Sequence, residues 1–146
     1  MSKGNAFETD ILKLILQNVA LAGIGDAGGL QPSAAAGVLW LGLHTADPGE
    51  GGSQNTTEAT YTSYGRVSVA RSAGGWDVAN GVGSNAAPVT FPTATGGSDT
   101  LTHFSVGTDE TGPGYVVYSG ALDDPLAVSL NITPNFDTGL LQITED

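Results

Sequence analysis

The residue types most capable of chemistry in this chain are His44, Asp47, His103 and Ser105. In the stretch 43-LHTADPGEGG-52 a His-x-x-Asp pair stands where an apolar run ends, the pattern of an acid–base pair or of two metal ligands. Two ligands fall short of the three that a catalytic zinc takes from protein, and the only other histidine, His103, is far along the chain. Turn chemistry accounts for the same residues without a reaction. An Asp bonds the backbone two residues on, Pro presets φ, and Gly accepts a positive φ.

A serine nucleophile needs a base and an orienting acid. Ser105 follows His103 in 102-THFSVG-107, but no glycine-flanked elbow surrounds it, and strand alternation makes the two side chains neighbours on one face. The Gly-x-Gly within 72-SAGGWDVANGVGSN-85 is not followed by a helix pattern, so no phosphate cradle is expected. The carboxylate pairs Asp109/Glu110 and Asp123/Asp124 lack EF-hand spacing and read as solvated surface. No catalytic set, cofactor or metal is therefore expected.

The elements that position these residues must be built without covalent or thiolate help, because the 146-residue chain has no cysteine. Fifteen acids face four bases, Lys3, Lys13, Arg66 and Arg71, and residues 72–146 carry no base at all. Such a surface repels phosphate, which argues against direct nucleic-acid binding. Arg66 and Arg71 flank one strand, so they are expected to bridge acids, within the fold or on a neighbouring copy. The apolar run 11-ILKLILQNVALAGI-24 is too short and too polar for a membrane span, and Glu8 and Asp10 replace the basic start of a signal peptide.

Asn5 followed by Glu8 predicts a capped helix over 6–21, with Phe7, Ile11, Leu14 and Ile15 on one face and Leu12, Leu16 and Val19 widening the stripe. A stripe that wide is expected to be covered on two sides, by its own domain or partly by a neighbouring subunit. Strands are predicted at 38–44, 64–71, 76–78, 89–91, 101–106, 115–119, 126–132 and 140–144, separated by Gly- and Pro-bearing turns that include 123-DDP-125. The pattern is mainly β: an antiparallel β-sandwich or open barrel with one N-terminal α-helix. Residues 1–37 form the helix and a Gly/Ala-rich linker and residues 38–146 the β domain, as one structural domain overall. The long irregular stretch 45–63 is expected to be functional or mobile.

The ordered set "GNAFETDILKLILQN", "LHTADPG", "SQNTTEATY", "YGRVSVARSAGGW", "VTFPTATGG", "LTHFSVG" and "GYVVYSGAL" resembles small tailed-bacteriophage virion proteins commonly labelled tail-fibre proteins. The resemblance spans nearly the whole chain. It implies a non-enzymatic structural protein located in the virion; a compact acidic domain without repeats favours a head decoration (cement) protein on the major capsid protein lattice, typically a trimer, and the alternative is a tail-fibre or tail-tip component contacting tail proteins and host. Self-association as a homo-oligomer is expected, with no nucleic acid and no membrane as partner. The residues expected at partner contacts are Phe7, Ile11, Leu14, Ile15, Asp47, Glu50, Glu58, Tyr61, Tyr64, Arg66 and Arg71.

Overall fold

The structure, a computed structural model, describes residues 2–145. One helix, α1 (Asn5–Gln17), precedes nine strands: β1 (Val38–His44), β2 (Val67–Ala70), β3 (Trp76–Ala79), β4 (Val82–Asn85), β5 (Val89–Thr90), β6 (Asp99–Gly107), β7 (Val116–Val128), β8 (Asn135–Phe136) and β9 (Gln142–Thr144). The strands form sheets of order β2-β1-β6-β7, β3-β4-β9 and β5-β8. The pairings β1–β6, β6–β7, β3–β4 and β4–β9 are antiparallel and, among the described residues, no sheet closes into a barrel, so the chain is mainly β with one N-terminal helix and of a sandwich-like class. Among the described residues, no helix is long and apolar enough to cross a membrane.

The chain divides into two compact units. The first comprises residues 2–38, 69–89 and 136–145. Here α1 packs on β3 and β4, driving Leu12 and Leu16 to 0 % exposure. Each such leucine stabilises the unit by about 1.5–3 kcal/mol. The close approach is possible because residue 83 is glycine: a Cβ there would overlap Leu16. The face predicted from Phe7, Ile11, Leu14 and Ile15 is the outer one, with Phe7 exposed and the other three half-buried.

The helix differs from its expected bounds at both ends. Its N-cap is Gly4 rather than Asn5, with no side-chain cap. It stops at Gln17 because Asn18 turns left-handed (φ 58°) and exchanges two hydrogen bonds with the Ser33 backbone, giving Nδ2–H to its carbonyl (3.0 Å) and accepting its N–H (2.9 Å). The open carbonyls of the last turn are taken by Arg71, which donates from Nη2 to Leu14 O (2.8 Å) and from Nε to Ile15 O (2.6 Å). The same guanidinium reaches Ala36 O (3.1 Å) and Ser33 Oγ (3.2 Å). Arg71 is thus held inside its own unit, by carbonyls rather than by an acid. A positive charge at a helix C-terminus also complements the dipole.

The second unit comprises residues 39–68 and 90–135. Strand β1 is as predicted, and Leu41 to His44 are all buried, so both of its faces are covered. It pairs antiparallel with β6, Trp40 facing Gly107 and His44 facing His103. Strand β7 corrects the sequence reading. The predicted turn 123-DDP-125 lies inside this one 13-residue strand, at a shift of register where Leu101 faces Leu126 but His103 faces Ala121. A bulge opposite Thr102 absorbs Pro125, which has no N–H to give to a ladder. In the strand predicted at 126–132, Leu126, Val128, Leu130 and Ile132 alternate as one buried face would, but only Val128 is buried, at 1 % exposure, while Leu126, Leu130 and Ile132 are 37 %, 60 % and 38 % exposed.

Replacing Arg71→Met should remove the donors that serve Leu14, Ile15 and Ala36 and destabilise the first unit by about 2 kcal/mol. Leu130→Ser should change stability by less than about 0.5 kcal/mol. Urea titrations followed by circular dichroism measure both.

Candidate functional site

The polar residues that drew notice in the sequence converge in the second unit, where the register decides which of them meet. Ser105 faces Gly42 and His44 faces His103 across β1 and β6. Glycine at 42 leaves the space that a side chain would fill, since a Cβ there would sit 3.0 Å from Ser105 Oγ and 3.4 Å from His44 Nε2. His44 therefore bonds Ser105, at 2.8 Å from Nε2, rather than Ser105 pairing with its sequence neighbour His103. On its other side His44 Nδ1 lies 2.8 Å from the Thr56 carbonyl. A carbonyl only accepts, so Nδ1 carries the hydrogen and Nε2 accepts from the Ser105 hydroxyl. Burial lowers the His44 pKa from its ordinary value, keeping the ring neutral, while the Thr56 hydrogen bond opposes the shift.

This is the geometry of a base beside a hydroxyl, but both residues are 0 % exposed and the orienting group is a main-chain carbonyl. His103 is half-buried with its Nδ1 at 2.9 Å from Thr102 Oγ1. Asp47 lies at the surface and performs the turn chemistry expected of it. Its carboxylate accepts the Gly49 N–H (2.8 Å), and Gly49 has φ +72°. Among the described residues, no group of three or more His, Asp and Glu is placed to hold a metal ion.

The stretch 45–63 turns back on β1, with Ala59 N donating to Leu43 O (2.8 Å) and Thr45 N to Thr57 O (2.9 Å). Glu58, Tyr64 and Arg66 then lock together. Arg66 grips Glu58 with both forks, Nε to Oε1 (2.7 Å) and Nη2 to Oε2 (2.9 Å). It also donates to Asp109 O (2.8 Å) and Gly112 O (2.8 Å) in the connection from β6 to β7. Tyr64 gives its hydroxyl hydrogen to Glu58 (3.0 Å) and accepts Leu43 N–H (3.0 Å), and burial raises its pKa.

Gln54, 0 % exposed, secures the same connection: its side-chain Oε1 accepts Asp109 N–H (2.9 Å) and its main-chain N–H donates to Pro113 O (2.6 Å). Side chains at 107 and 114 would overlap it, and both positions are glycine. At the far end of the stretch, Asp99 accepts the N–H groups of Thr60 (2.6 Å) and Tyr61 (2.8 Å). Tyr61, 2 % exposed, donates to Pro92 O (3.0 Å), and burial, followed by the Asp99 charge, pushes its pKa up to about 12.

Of the sequence-nominated contact residues in this unit, Glu58, Tyr61, Tyr64 and Arg66 are thus engaged internally, while Asp47 and Glu50 are exposed. Sequence reasoning missed Gln54 and Asp99 and did not pair Ser105 with His44, because these roles depend on long-range register. The connection they support displays Asp109, Glu110, Thr111 and Tyr115, the last 79 % exposed although it opens a predicted strand.

Two measurements test this assignment. Arg66→Met leaves Glu58 without its ion-pair partner and should cost about 3 kcal/mol. A neutral buried His44 makes stability greatest above its unfolded pKa of about 6.5; as the pH falls, the unfolded chain takes up the proton first, so stability falls. Urea midpoints should therefore drop from about pH 7 towards about pH 5, with a shallower slope in His44→Gln.

A family model described as Podophage GP4 fiber I protein gp80 matches residues 4–144, a range that contains the helix, all nine strands and every residue of the cluster. No curated protein matches the chain.

Proposed function

The chain belongs to this podophage fibre I protein family, whose members are virion structural proteins, and from that membership we propose that it is a non-enzymatic fibre component of the particle. The match over 4–144 is the observation that carries the reading, because the family's description names a fibre. The geometry of the polar cluster supports the absence of catalysis. His44, Ser105, Gln54 and Arg66 are buried and occupied with one another or with main-chain groups.

The protein acts by self-association and by contact with other virion proteins. The outer face of α1, with Phe7 at 38 % exposure and Ile11, Leu14 and Ile15 half-buried, is the proposed apolar contact. Asp47 and Glu50 form a proposed acidic contact that suits a basic neighbour. A trimer is the proposed assembly. The second reading, a capsid decoration protein on the major capsid lattice, is favoured by a domain that carries no internal repeat.

Gold-labelled antibody on intact particles, with quantitative mass spectrometry of purified virions, separates the two. A fibre component should label fibres in a small number of copies. Label over the head, at a copy number matching capsid symmetry positions, would overturn the fibre reading in favour of decoration. Light scattering of the purified chain, compared with a Phe7→Asp variant, should give a trimer for the first and a smaller species for the second.

A further inference from the structure

The turn joining β3 to β4 is Asn80-Gly81, and we propose that it is a latent self-modification site at which the Gly81 nitrogen attacks the Asn80 side-chain amide, with the docked helix α1 restraining the reaction. Ala79 faces Val82, so the connection has two residues, and both are left-handed, Asn80 at φ 52° and Gly81 at φ 75°. This is the primed hairpin turn that Asn-Gly favours. Asn80 is exposed and lines an open pocket of about 350 Å³ with Asn5, Ala6, Thr9 and Asp10, so its amide has room and water. Glycine at 81 presents a nitrogen with no side chain to shield it.

The reaction needs no co-reactant other than water. The Gly81 nitrogen loses its proton and forms a bond to Asn80 Cγ; the Cγ–Nδ2 bond breaks and the amide leaves as ammonia, closing a five-membered succinimide. Water then opens the ring at Cγ, giving aspartate, or at the main-chain carbonyl carbon, giving isoaspartate. The sum is amide plus water to carboxylate plus ammonium, with no change of oxidation state.

Three contacts hold the turn in the unreactive form. The Gly81 N–H donates to Thr9 Oγ1 (2.9 Å), and that hydroxyl is itself oriented by donating to Asn5 O (3.1 Å). Glu145 N donates to Gly81 O (3.1 Å) from the other side. Attack requires the Gly81 nitrogen to leave Thr9 and the turn to rotate, so it proceeds through local opening. The product is self-reinforcing. Isoaspartate adds a backbone atom to a two-residue turn, and either product places a carboxylate near Asp10 in the pocket and Glu8, whose Oε2 lies 3.1 Å from a Cβ position on Gly81. Both effects disfavour return of the helix.

The test is peptide mapping by mass spectrometry of the purified chain held at mildly alkaline pH, native and in urea, reading conversion of Asn80 and the isoaspartate fraction. Conversion should be at least about tenfold slower in the native chain than in the unfolded one. Thr9→Ala should speed the native reaction severalfold, and Thr9→Ser, which keeps the hydroxyl, should not. Equal rates in native and unfolded chain, or a native Thr9→Ala as slow as wild type, would overturn the proposal. If circular dichroism finds Thr9→Ala unfolded, wild type across urea concentrations below its transition decides: a rate rising with urea supports the gate, and a flat rate rejects it.

Discussion

The Arg66 guanidinium is the interaction on which the second unit depends. It makes four hydrogen bonds, two to the Glu58 carboxylate and two to the carbonyls of Asp109 and Gly112. Its side chain is 2 % exposed and that of Glu58 18 %, so the pair is shielded from water and from screening by salt. A buried pair is not a strong source of net stability, because desolvation offsets the Coulomb gain. Its value here is geometric. One planar group with a fixed fork ties residue 58 of one irregular stretch to residues 109 and 112 of another.

The same constraint recurs wherever this chain leaves regular structure. Buried main-chain groups must find partners, and where the turns and loops do not supply a main-chain one, side chains do. Gln54 serves the Asp109 N–H, Asp99 serves the N–H groups of Thr60 and Tyr61, and Asn85 serves the carbonyls of Ala87 and Asp137 and the N–H of Leu141. In the first unit Arg71 does for the end of α1 what Arg66 does for the β6–β7 connection. These polar side chains fit against backbone because glycines stand opposite them, at 107 and 114 for Gln54 and at 42 for the His44–Ser105 pair. The high glycine content is therefore a packing requirement as well as a source of turns.

That division explains which features were legible in the sequence. Strand β1, the Asp47-Pro48-Gly49 turn and the mainly β class follow from local rules of periodicity and turn chemistry, and the structure contains them. The β3–β4 hairpin was also locally encoded by Asn80-Gly81 between apolar residues, but the glycines of 81-GVGSN-85 hid β4. Other features were not local. The bulge that lets Asp123, Asp124 and Pro125 sit in β7 depends on pairing with β6, and a turn rule applied to DDP cannot see that partner. Which part of the helix turns inward was not legible for a similar reason: periodicity finds a wide apolar stripe, and only Gly83 on β4 selects Leu12 and Leu16 as its inner edge.

Charge adds a constraint on how such a chain meets other molecules. The internal demand for donors engages both arginines, and Lys3 pairs with Glu145 at 2.9 Å, so these three of the four cations do little to offset the acids displayed outward. With a net charge of −11, two copies repel at long range. Self-contact must then rely on surfaces where apolar area outweighs charge, and the first unit offers Phe7, Val19 and Leu140 at 38 %, 47 % and 69 % exposure. Contact through the acidic connections of the second unit instead requires a partner that brings positive charge, and such contact weakens as salt rises. Apolar contact does not weaken in that way, so ionic strength separates the two kinds of association by the physics that creates them.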